Sequence, residues 1–166
     1  MFLARKVTRA KWERTSGLKP GEIPADAVTV DLRTRDNSLS LWRCGTGSER
    51  EVEDVLLALA SGSERIEKME IVWIDEQDLQ SDGQSMADST GLTPVKELVD
   101  RHVDLQHLDF ERLGKVARLI VSALHGERYR TATKRQIKEL LISAVNEGRV
   151  SADELKEKVR QQVQLH

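Results

Sequence analysis

Residues 69–74 constrain the fold more than any other stretch of the chain. Met69, Ile71 and Trp73 fall on one side of an extended backbone and Val72 and Ile74 on the other, so the run is apolar on both faces. A strand with one wet face alternates apolar with polar residues. A short run that is apolar on both faces belongs in the interior of a sheet. The chain must therefore supply neighbouring strands and something to cover them.

Neighbours are visible upstream. Residues 2–9 set Leu3 and Val7 among Arg5 and Arg9 and read as a half-exposed strand. Gly17, Pro20, Gly21 and Pro24 mark the segment that follows as loop. Val28, Val30 and Leu32 then alternate with Thr29, Asp31 and Arg33, and Leu39 and Leu41 alternate with Ser40 and Trp42. With residues 35–38 between them, the two runs predict a β-hairpin.

Helices are marked by their caps. Ser48 and Glu51 form a capping box, in which hydroxyl and carboxylate reciprocally satisfy free amide donors, and Val52, Val55, Leu56 and Leu59 follow at helical spacing until Gly62. Thr93 and Pro94 predict another start, with Val95, Leu98, Val99 and His102 on one face. Phe110, Leu113, Ala117, Ile120 and Leu124 form the longest stripe, opposite Arg112, Lys115 and Arg118. Thr133 with Gln136 and Ser151 with Glu154 are further capping boxes, and Val150 is placed to staple onto Leu155.

The expected fold is α+β: a small antiparallel or mixed sheet with one helix in the N-terminal half, then a three- or four-helix unit. The boundaries read as a β-rich domain over residues 1–76, a polar linker over 77–93 and a helical domain over 94–166. Charge changes sign across the linker. Residues 1–90 hold 12 Lys and Arg against 17 Asp and Glu, and residues 91–166 hold 14 against 11. Aromatic residues are only 4% of the chain, so the core rests on Leu, Val, Ile and Ala.

Reactive groups are few. Cys44 is the single cysteine, which points to a reducing compartment, and no histidine lies near it in sequence to act as its base. His102 and His107, near Asp104 and Asp109, are five apart, the wrong spacing for two metal ligands on one helical face, and His125 and His166 stand alone. Gly45, Thr46 and Gly47 precede a helix as in anion-binding loops, but Glu49, Glu51 and Glu53 would repel a phosphate there. Asp31, Glu70 and Asp75 lie on or beside predicted strands, where outward carboxylates ordinarily face solvent. Neither a cofactor nor a metal is expected.

The basic stretches are more suggestive. Residues 1–19 hold six basic residues against Glu13, and residues 112–149 hold nine against Glu127, Glu139 and Glu147. Arg128, Arg130, Lys134, Arg135 and Lys138, with Tyr129 among them, form the densest cluster and are the candidate site for an anionic partner. Three function classes follow in order of expectation. The first is a non-catalytic interaction module or accessory subunit of a cytoplasmic multi-protein assembly. The second is a nucleic-acid-binding protein using residues 128–138, and the third an enzyme with a site assembled from scattered residues. No apolar run approaches the roughly 18 residues of a membrane span. Arg5, Lys6 and Arg9 stand where a signal peptide would be apolar, so a cytoplasmic location without a membrane partner is expected.

Overall fold

A computed structural model of the chain describes residues 1–13, 17–19 and 21–164. Pro20 of the predicted loop and His166 lie outside the described residues. Among the described residues, six strands form one antiparallel sheet: β1 (Phe2–Lys6), β2 (Leu39–Arg43), β3 (Met69–Asp75), β4 (Ser85–Asp88), β5 (His102–Gln106) and β6 (Tyr129–Ala132). Their order across the sheet is β4-β5-β2-β1-β3-β6. The helices are α1 (Arg9–Trp12), α2 (Ala25–Asp31), α3 (Glu49–Ser61), α4 (Glu76–Ser81), α5 (Phe110–His125), α6 (Lys134–Asn146) and α7 (Glu157–Gln164).

β3 is interior, between β1 and β6, as its sequence requires. Met69 and Ile71 pack with Ala4 and Trp42 under α3, α6 and α7. Val72 and Ile74 pack with Leu3, Leu41 and Val103 against α1, α2, α4 and α5 on the opposite face. The sheet is thus sandwiched between two helical layers. Burying each large aliphatic side chain contributes about 1.5–3 kcal/mol, so covering both faces of the central strands is the main source of stability.

The fold class is α+β, but its layout differs from the expected one. Residues 25–31 are helical, not a strand. Pro24 sets the entry φ of −61°, and Ala27 and Asp31, four apart, turn inward while Val30 stays exposed. Val28, Val30 and Leu32 alternate as a strand would, but Val28 and Leu32, four apart, also share a helical face from which Val30 is excluded. Of the predicted hairpin the second strand stands as β2, and the turn before it remains, with Arg35 and Ser38 exchanging backbone hydrogen bonds around Asp36 and Asn37 at positive φ.

Residues 77–93, polar enough to read as a linker, carry part of α4 and all of β4. Their polarity fits an edge: β4 is a terminal strand paired only with β5. The predicted helix after Thr93 is a 3₁₀ turn, Lys96–Arg101, leading into β5, where Val103 and Leu105 point inward and His102 and Asp104 do not. Instead of one helical unit, α5 and α6 cover opposite faces of the sheet, separated by β6. α5 buries Val116, Ala117, Ile120 and Ala123, whereas Phe110, expected on its inner stripe, is 95% exposed in the first turn.

All three capping boxes are present. The third closes a 3₁₀ turn, Ala152–Glu154, rather than the final helix, and Val150 and Leu155 are both buried beside it. Gly62 is the C-cap of α3, and the Leu92 carbonyl oxygen, which would lie 2.3 Å from a Cβ there, leaves no room for a side chain.

One polar knot fixes the N-terminal segment. The buried Asp31 carboxylate accepts from Thr8 N at 2.6 Å, Thr8 Oγ1 at 3.1 Å and Trp12 Nε1 at 2.7 Å. Its backbone carbonyl accepts from Nε and Nη2 of Arg5, whose Nη1 donates to the Ser40 carbonyl at 2.8 Å. Burial pushes the Arg5 pKa down and Asp31 pulls it back. Asp31→Ala strands three donors and should destabilise the protein by about 2–3 kcal/mol, read as a lower urea midpoint. A midpoint unchanged from wild type would show the knot to be dispensable.

Candidate functional site

The sequence cluster at 128–138 forms one edge of the molecule. β6 is the last strand of the sheet, paired with β3 through Val72 with Tyr129, Ile71 with Arg130, Glu70 with Thr131 and Met69 with Ala132. Just before it, the Arg128 carbonyl accepts from Trp73 N at 3.1 Å. Hydrogen-bonded pairs alternate in an antiparallel ladder, so residues 128, 130 and 132 direct their backbone groups to β3. Tyr129 and Thr131 direct theirs away from the sheet.

Side chains follow the same alternation. Ala132 enters the core beneath α3 and α6, and on that face Arg130 reaches Glu49 of α3 at 3.5 Å while the Arg128 guanidinium lies 6.0 Å from the Phe2 ring. Tyr129 packs towards α5, and Thr131 Oγ1 donates to Glu70 at 3.3 Å.

The chain then enters α6. Thr133 Oγ1 accepts from Gln136 N at 3.2 Å and the Gln136 side chain accepts from Thr133 N at 2.8 Å, fixing the first turn. Ile137, Leu141 and Ala144 face the core, which turns Lys134 and Arg135 out to solvent and leaves Lys138 half-buried. These three line a shallow depression with Glu139 and Ile142. Glu139 pairs with Arg135 at 2.7 Å and raises its pKa. An adjoining groove of about 400 Å³ between α3 and α6 has Leu56, Ala132, Ile137 and Leu140 in its walls, with Arg130, Glu53 and Glu139 around them.

The N-terminal basic stretch meets the same edge. The Arg9 guanidinium stacks 4.1 Å from the centre of the Tyr129 ring, a cation–π contact. The two stretches are far apart in the chain, and nothing local signals that β1 and α1 arrive beside β6. Arg5, counted with the same stretch, is committed to the interior instead.

Most of the other candidates are engaged in structure. The Gly45–Gly47 loop is filled by the protein's own anion: Glu51 accepts from Thr46 N and Oγ1 and from Ser48 N and Oγ at 2.7–3.2 Å, which lowers its pKa to about 2. His102 Nδ1 meets Ser89 Oγ at 2.7 Å and its ring sits edge-on to Trp42, while His107 lies exposed at positive φ. Asp31 and Glu70 both serve the start of α1, where Arg9 N donates to Glu70 at 3.1 Å, whereas Asp75 caps α4 at the far end of β3. Among the described residues, no three His, Cys, Asp or Glu side chains are grouped to hold a metal ion.

A buried charge cluster had no signature in the sequence. Asp54 of α3 is 6% exposed and pairs with Arg149 at 2.7 Å and Arg101 at 3.2 Å, and Arg149 also reaches Glu97 at 2.8 Å. It ties α3 to the end of α6 and the 3₁₀ turn, so Arg149 is committed to the fold although it belongs to the basic stretch.

Cys44 is fully buried, and burial, then the Glu51 charge, push its pKa up to about 11. At neutral pH the native thiol should react with a disulfide reagent about 100-fold more slowly than the urea-unfolded chain. Rapid stoichiometric labelling of the native protein would contradict this. Among the described residues, no helix is long and apolar enough to cross a membrane.

Comparison with protein-family models, with curated proteins and with solved structures returns no significant match.

Proposed function

We propose that this chain is a non-catalytic interaction module, an accessory subunit of a cytoplasmic multi-protein assembly. Its contact surface is the basic junction of β6 and α6. The observation that supports this most is the display of Arg128, Arg130, Lys134, Arg135 and Lys138 along one edge, on a strand and a helix start held rigidly by β3 and the Thr133 cap. Rigid presentation lets charged side chains meet a partner with little further ordering cost. The groups with the strongest chemical potential elsewhere, Cys44, Asp31, Glu51 and Asp54, are engaged in holding the fold.

The chemistry of the surface favours an acidic protein over nucleic acid. Glu49, Glu53 and Glu139 are interleaved with the cations, and a run of phosphates would meet these carboxylates as well as the guanidinium groups. A protein partner can place its acidic groups selectively. Opposite charges then steer association and fix register, with apolar side chains such as Leu140 and Ile142 beside them.

The triple exchange of Lys134, Arg135 and Lys138 for Glu tests this reading. The inner face formed by Ile137 and Leu141 is untouched, and acidic residues in the first turn suit the helix dipole, so circular dichroism should remain native. Capture of the partner by the tagged protein at low salt should fall about tenfold, the equivalent of roughly 1.4 kcal/mol, and the difference should shrink as salt rises. Undiminished capture at low salt by a folded variant would refute the proposal. Capture abolished by nuclease treatment would replace it with the nucleic-acid reading.

A further inference from the structure

The backbone at the basic edge offers a way of holding a partner. β6 terminates the sheet, and its ladder with β3 leaves the N–H and C=O groups of Tyr129 and Thr131 directed outward. Cations stand on both faces of this strand, with Arg128 and Arg130 towards α3 and Arg9 over Tyr129 on the other side.

We infer that β6 is a docking strand, onto which an extended acidic segment of a partner protein adds as a seventh strand. This rests on the proposed function and specifies the partner's form. Main-chain hydrogen bonds to Tyr129 and Thr131 supply affinity, as in other strand additions. Charge supplies selectivity. A strand laid beside β6 places every second side chain on the face of Arg128 and Arg130, where a carboxylate is attracted. A second copy of β6 would instead bring Arg130 and its flanking cations against their own kind. The cations that keep this edge from pairing with itself are therefore the groups that admit an acidic strand.

The edge has the dimensions for such a contact. Tyr129 and Thr131 are two residues apart on the outer side of the ladder, the spacing at which an added antiparallel strand exchanges pairs of hydrogen bonds. Glu49, 74% exposed, holds Arg130 at 3.5 Å and can be displaced by an incoming carboxylate at little cost, because exposed ion pairs are weak.

The probe is a short N-acetylated peptide alternating glutamate and valine, titrated into the isotope-labelled full chain, with the lysine–valine peptide as control. Residue-resolved amide exchange reports the result. With free peptide at nine times its dissociation constant, mass action slows exchange at Tyr129 and Thr131 about tenfold, and the lysine–valine peptide leaves both unchanged. If the glutamate peptide shifts the resonances of Lys134 and Arg135 but leaves the Tyr129 and Thr131 amides unprotected, strand addition is wrong while the charged surface stands. If neither peptide perturbs the protein, strand addition is also wrong, and capture by the triple variant separately decides the parent proposal. Protection of these amides by a single-stranded oligonucleotide in place of the glutamate peptide would overturn it in favour of nucleic acid.

Discussion

The burial of β3 on both faces is the constraint on which the rest of the structure depends. Met69 and Ile71 must be covered from one side and Val72 and Ile74 from the other. One layer of helices cannot do both, so the chain places α3, α6 and α7 on one face and α1, α2, α4 and α5 on the other. The connections follow from this. α5 and α6 lie consecutively in sequence but on opposite faces, and the four residues of β6 carry the chain across the sheet edge between them. The open basic edge is thus a product of the same requirement that builds the core.

Much of this was legible wherever a local pattern had only one physical solution. The capping boxes at Ser48, Thr133 and Ser151 pair a hydroxyl with a carboxylate or amide three residues later, and few other conformations satisfy both groups. The interior position of β3 followed from its two apolar faces. The errors occurred where two solutions share a pattern. Val28, Val30 and Leu32 suit a strand, but Ala27 and Asp31 at helical spacing, with Pro24 before them, suit a helix better. β4 was obscured because an edge strand exposes polar side chains, and β5, although Val103 and Leu105 alternate with His102, Asp104 and Gln106, because His102 also falls at helical spacing from Val95, Leu98 and Val99. Phe110 fitted the stripe of α5 by spacing alone, yet as the first residue of the helix it is left in solvent.

The candidate site was legible in composition and illegible in architecture. Arg128, Arg130, Lys134, Arg135 and Lys138 are neighbours in sequence, so their clustering needed no tertiary information. That Tyr129–Ala132 is a strand, that its outer backbone groups face away from the sheet and that Arg9 stacks on Tyr129 all depend on contacts across more than fifty residues. Long-range ion pairs likewise decide which cations face a partner. Arg149 is held by Asp54 and Glu97, whereas Lys134 and Arg135 project from a capped helix start. Counting charge along the chain cannot separate these cases.

A basic edge strand joins the two levels of the account, because the backbone that closes the sheet on one side remains open on the other. Amide exchange in the free protein tests this most directly, since neighbouring residues of one short strand should behave oppositely. The Arg130 amide, bonded to β3, should exchange slowly while those of Tyr129 and Thr131 exchange close to the rate of unstructured chain. Comparable protection at all three would mean that the outer side of β6 is already covered, and would contradict the account.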